Sequence, residues 1–157
     1  MRLKKYNNLG IGAKTLMSHI ALALSVVLLA SVLTYVLTYR YVRDNFKYVR
    51  REPYEAGETP WLVDEATDML ATGKGNCYSY ASAYCMLVRA IGVDAIVISG
   101  HVGSNVMPHG WVEIVRNGEP HIFDTELSMA HPGQGDLYYY DKSYKELANW
   151  AYVRPKE

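Results

Sequence analysis

Gly73-Lys74-Gly75-Asn76-Cys77-Tyr78-Ser79-Tyr80-Ala81 changes character at its midpoint. The first four residues read as a tight turn, and Asn76 is a residue type whose side-chain oxygen caps the free amides of a helix start. Behind it, Ala81, Tyr84, Cys85, Val88 and Ile91 recur at helical spacing. A helix therefore runs from Cys77 to about Ile91, where Gly92 ends it. Cys77 falls in the first turn of that helix, beside unpaired amide donors and the positive end of the dipole. Those surroundings favour the thiolate, the form that attacks carbonyls. Gly75 lets the chain, or a substrate, come close there. Cys85 lies mid-helix on the apolar face, where cysteine behaves as a small buried hydrophobe.

A nucleophilic thiolate needs a proton carrier, usually a histidine oriented by a third group. The strand-like runs His109–Val115 and Pro120–Thr125 flank Asn117-Gly118, the strongest short hairpin signal. A two-residue loop pairs Arg116 with Glu119, and regular pairing then sets Trp111 opposite Asp124 and His109 opposite Glu126. His109 and Asp124 become diagonal neighbours on one face, within about 7–8 Å before side chains are added. Glu126 lies directly across, so the register alone leaves two candidate carboxylates. His101, His121 and His131 are read as structural, and the Trp111 and Tyr138–Tyr140 aromatics as core.

Three separated motifs carry a resemblance: Gly73-Lys74-Gly75-Asn76-Cys77, His109-Gly110-Trp111-Val112-Glu113 and Ile122-Phe123-Asp124. Together with Tyr41–Tyr48 upstream, they resemble the transglutaminase-like superfamily, a branch of the papain-like cysteine enzymes, over roughly residues 40 to 130. The resemblance implies an α+β fold in which the helix carrying the nucleophile packs on an antiparallel sheet. It implies Cys77 as nucleophile, His109 as base and acid, and Asp124 as the orienting group, deciding against Glu126. One departure is Thr125, where many members have proline. Acyl transfer at amide bonds through a thioester is the activity expected, as protease, amidase or protein-glutamine acyltransferase. A catalytically silent binding module of the same fold is the alternative. The substrate expected is a peptide or protein amide, cell-wall peptides included. No cofactor and no metal is implied, and the Cys-x7-Cys spacing of Cys77 and Cys85 departs from the usual zinc pattern of about two to four intervening residues.

Outside this region, the 24 residues from Leu16 to Tyr39 carry no Lys, Arg, Asp or Glu. As a helix they span about 36 Å, enough for a hydrocarbon core of about 30 Å. Residues 1–15 read as a short basic tail, 16–39 as a transmembrane anchor and 40–157 as the enzyme domain. A cleaved signal and a core helix are the competing readings of 16–39, the second encouraged by Ser18, His19, Ser25, Ser31, Thr34 and Thr38. Basic residues flank the run on both sides, so charge sets no clear orientation. We expect a single-pass membrane protein with an extracytoplasmic catalytic domain. The chain carries 16 basic and 16 acidic residues, a balance that excludes a nucleic-acid binder needing a basic surplus.

The remaining elements follow from local signals. Tyr41–Val49 reads as a short amphipathic helix or an extension of the first helix, and Pro53, Gly57 and Pro60 mark the next stretch as a loop. Thr59 caps a helix that begins at Pro60 and ends near Gly73. Asp94–Val102 is a short, almost continuously apolar strand, as expected at the centre of a sheet. Leu137–Tyr140 is a strand, and Ser143 with Glu146 boxes the start of a last helix.

Overall fold

The computed structural model describes residues 10–155, and they divide into two compact units, one ending at residue 36 and the other starting at residue 37. The first unit is the N-terminal part of helix α1 (Ile11–Asn45). Leu16, Ile20, Leu22, Leu24, Val27, Leu29 and Leu33 are all exposed, so this stretch is apolar without a protein core against it. By length and composition it can cross a membrane. Its hydroxyls do not disturb that character. Ser25, Ser31 and Thr34 donate to the carbonyls of Ala21, Val27 and Ala30, one turn back, and satisfy themselves within the helix.

The second unit begins with the last turns of α1, where Tyr39 and Val42 are completely buried. Two-residue β1 (Lys47–Tyr48) then pairs in parallel with β2 (Lys74–Gly75). Between them, α2 (Leu62–Thr72) buries Leu62, Glu65, Ala66 and Met69, the i, i+3, i+4, i+7 stripe of a one-sided helix. It starts two residues after the expected Pro60. Thr59 closes a turn by accepting from Leu62 N, while Trp61 packs on Tyr54 at 4.6 Å, stacked. Gly73 ends α2 in the left-handed conformation, as anticipated.

Helix α3 (Cys77–Ala90) is the axis of the unit, with ten of its side chains buried. It packs on β3 (Ala95–Val102) and β4 (Met107–Arg116) of a four-stranded antiparallel sheet, completed by β5 (Glu119–Phe123) and β6 (Lys142–Ser143) in the order β3-β4-β5-β6. The β4–β5 hairpin has the predicted register, Arg116 opposite Glu119 and Val112 opposite Phe123. The α+β architecture is as the resemblance implied.

Three expectations need correction. Strand β3 is at the edge of the sheet, not its centre. It is largely apolar because residues on both faces are covered: Ala95 and Val97 belong to the α3 core, while Ile98 and Val102 belong to a second core with Trp111, Ile122 and Tyr152. Its free edge is closed by Val153, which exchanges two backbone bonds with His101, and by Gly57 donating to Ser99 O. Leu137–Tyr140 is a pair of turns rather than a strand, closed by Tyr138 N to Gly135 O and Tyr140 N to Leu137 O. The Ser143–Glu146 box forms, but only turns and a short 3₁₀ segment (Ala148–Trp150) follow. Ala151 then turns left-handed, φ 46°, and the chain leaves to cover β3.

Candidate active site

The site is assembled where the N-terminus of α3 meets β4. Asn76 caps the helix as expected: its side chain accepts from Ser79 N at 3.2 Å, and Ser79 Oγ accepts from Asn76 N at 3.1 Å. Ser79 Oγ also donates to Glu65 of α2, which in turn accepts from Tyr54 Oη at 2.7 Å and pairs with Arg51 at 3.3 Å. The first turn of α3 is thus tied to the preceding helix and to the 50–56 loop. Gly75 is required by this cap, since a Cβ there would lie 2.3 Å from Ser79 Cβ.

Gly110 brings the strand to the helix. A Cβ on it would come within 2.9 Å of the Tyr78 ring and 3.2 Å of Tyr78 Cα, so only glycine lets β4 run against the first turn of α3. The residue before it, His109, is 4% exposed and lies beside Cys77, which is 7% exposed and opens onto a cleft of about 620 Å³. Tyr48, Arg50, Glu52, Tyr78, Met107 and Pro108 line that cleft.

Asp124 holds the far side of the imidazole. Its Oδ2 is 2.7 Å from His109 Nε2, and its Oδ1 accepts from Leu127 N at 2.9 Å. The second bond makes Asp124 the cap of α4 (Thr125–Ala130). Pairing stops at Phe123, so Asp124 does not continue β5 opposite Trp111 as the extrapolated register had it. It reaches His109 from a helix cap instead. Thr125 accordingly occupies the first helical position, which tolerates proline equally well.

Burial alone would strip the proton from His109. The charge and hydrogen bond of Asp124, with Cys77 on the other side, reverse this and hold the imidazolium well above the usual histidine range. With Nε2 committed to Asp124, Nδ1 is the nitrogen left for Cys77. Glu126 stands 3.9 Å from Nδ1, too far for a hydrogen bond. His109, Asp124 and Glu126 bring ligand atoms within 4.8 Å of one another, but the imidazole and Asp124 are spent on each other.

Two tyrosines completing this arrangement were missed. Tyr152 Oη donates to the same Asp124 Oδ2 at 2.7 Å, and Tyr39 Oη donates to the Asp124 carbonyl at 2.7 Å. Both come from distant segments, and nothing in the local pattern separates them from the other tyrosines. Glu65 was likewise unremarked, because only the tertiary contact with Ser79 reveals it. Cys85, by contrast, is fully buried. Its thiol donates to Ala95 O at 3.5 Å, and burial pushes it up to about 11 despite Arg89 nearby. The other histidines have structural settings: His121 bonds Asp141 at 2.8 Å and His131 packs on Trp150.

Residues 34–122, more than half of the chain, match the transglutaminase-like superfamily. The chain belongs to that superfamily. Cys77 and His109 lie within the match, and Asp124 lies just beyond it. Among solved structures, the chain is similar to a provisionally assigned cysteine protease from Cytophaga hutchinsonii, with 19% identity and a TM-score of 0.45, covering 58% of this chain and 30% of that one. It is also similar to the periplasmic domain of TgpA from Pseudomonas aeruginosa, with 18% identity and a TM-score of 0.45, covering 68% of this chain and 40% of that one. The chain thus spans less than half the length of either structure. No curated protein sequence matches it.

Proposed function

We propose that this transglutaminase-like chain is a membrane-anchored cysteine enzyme that opens peptide or protein amide bonds through a thioester on Cys77. The observation that carries the reading is the buried His109–Asp124 pair, 2.7 Å apart, set against a cysteine in the first turn of a capped helix. Cys77 attacks the carbonyl carbon, and the tetrahedral oxyanion is met by the Cys77 backbone amide at the helix end. Collapse breaks the C–N bond, and His109 delivers its proton to the leaving amine. His109 then draws a proton from water, which attacks the thioester and restores the thiol. Hydrolysis is the outcome we favour; an amine in place of water would give cross-linking. Asp124 fixes the imidazole with Nδ1 towards the thiol. The apolar part of α1 supplies the anchor, with the domain on the extracytoplasmic side.

The full-length protein in detergent, treated with a thiol-directed acylating probe, tests this. Labelling is expected on Cys77 and is lost, together with amide turnover, in Cys77→Ala. Labelling confined to Cys85, or turnover surviving Cys77→Ala, would sink the assignment. The same probe, membrane-impermeant and applied to intact and to lysed cells, reports which side the site faces.

A further inference from the structure

The triad leaves one carboxyl of the site unused. Glu126 lies in the first turn of α4, with its side chain 12% exposed and its carboxylate 3.9 Å from His109 Nδ1. Asp124 occupies the opposite ring nitrogen, so the imidazole stands between two acids. The groups that act on Glu126 or feel its charge come from every element around it. They are His109 on β4, Asp124 at the cap of its own helix, Tyr48 on β1, Tyr80 on α3 and Tyr139 in the turns before β6. The three phenols are all shifted upward, chiefly by burial, and are neutral at physiological pH. Among the described residues, His109 is therefore the one cation that Glu126 faces. Burial raises the Glu126 carboxyl to about 7, with the His109 charge opposing the rise and the Asp124 charge adding to it.

We propose that Glu126 is a positioning residue, a second carboxylate that secures the proton on His109 Nδ1 when ionised and frees it for transfer when protonated. The proposal deepens the thioester reading and rests on it, since Nδ1 is the nitrogen facing Cys77. Asp124 is bonded directly to His109 through Nε2. Glu126 acts only in its ionised form, so the proton affinity of the imidazole itself depends on pH. The burial that makes Glu126 reluctant to ionise is what brings its switching into the neutral range.

Full-length protein in detergent micelles, carrying carbon-13 at the histidine ring and the glutamate carboxyl, permits the test by NMR titration. In the wild-type protein, the Glu126 carboxyl is expected to titrate well above ordinary carboxylates. The His109 ring signal is expected to bend at that same pH. In Glu126→Gln the bend disappears, and the His109 midpoint falls by roughly one pH unit, the effect of removing a charge at this range. A purely structural Glu126 would leave that midpoint in place, and an unchanged midpoint overturns the proposal. Where the variant fails to fold, the wild-type titration decides, and a His109 signal without the shared bend overturns it equally. Failure of Cys77 to take the thiol probe sinks the thioester reading by itself, whatever the titrations show.

Discussion

Helix α3 carries both cysteines of the chain, and its two regions treat them in opposite ways. Cys85, in the middle, is enclosed by Ala95, Val88 and Tyr84, and burial drives its proton affinity up. Cys77, in the first turn, is nearly as hidden but meets His109 on one side and a cleft on the other. Burial alone thus does little to tell the two thiols apart. What separates the two thiols is the company each keeps: a mid-helix cysteine has only a carbonyl to bond, whereas a cysteine at the helix start has amides, an imidazole and an opening.

The sharpest way to break the comparison is to remove each sulfur in turn. Cys77→Ala is expected to lower amide turnover by at least about 10³-fold, as loss of a covalent nucleophile does, measured as kcat/KM on a peptide amide. Asp124→Asn leaves the shape of the site but presents the wrong hydrogen-bonding pattern to His109. It should reduce kcat by roughly 10²–10⁴-fold, with α4 still capped, as circular dichroism would register. Ser79→Ala tests the scaffold around Cys77: it deletes one arm of the cap and takes a donor from buried Glu65. A loss of about 2 kcal/mol in urea unfolding is expected. Tyr152→Phe removes one of the two donors on Asp124 Oδ2 and should lower kcat about tenfold, with KM unchanged. Cys85→Ala closes the series, with about 1–2 kcal/mol lost to a small cavity and turnover unaltered. Comparable loss of turnover in Cys77→Ala and Cys85→Ala would dissolve the distinction between the two ends of the helix.

The parts of this arrangement that were legible in the sequence are those encoded within a few residues. Asn76 and Cys77 are adjacent, so the cap and the cysteine in the first turn could be read together, and the two-residue Asn117-Gly118 loop set the hairpin register as far as Phe123. The extrapolation beyond Phe123 set Asp124 near His109, where it lies, but by the wrong path. Asp124 is a helix cap: one carboxylate oxygen turns forward to the amide of Leu127, three residues on, and that leaves the other to meet His109. The register left Glu126 as an equal candidate. The structure separates the two by distance, one bonded to Nε2 and the other set off from Nδ1. The unreadable parts are contacts between remote segments: Tyr39 and Asp124 are 85 residues apart, and Ser79 and Glu65 are 14 apart on different helices. Leu137–Tyr140 misled for a related reason. Aromatic residues favour strands, but here each ring is claimed by a different neighbour, Tyr140 by Tyr39 and Phe123, and Tyr139 by Trp150. A straight strand could not serve them all.

The segment that covers the β3 edge also places Tyr152 on Asp124, and this gives the site a history as well as a geometry. Tyr152 is made 28 residues after Asp124. At about 5–20 residues per second of synthesis, Cys77, His109 and Asp124 are all made seconds before Tyr152. During that interval the Asp124 carboxylate lacks one of its donors, and the β3 edge has Gly57 but not Val153 bonded to it. One segment, residues 151–155, therefore completes both the support of Asp124 and the cover of β3.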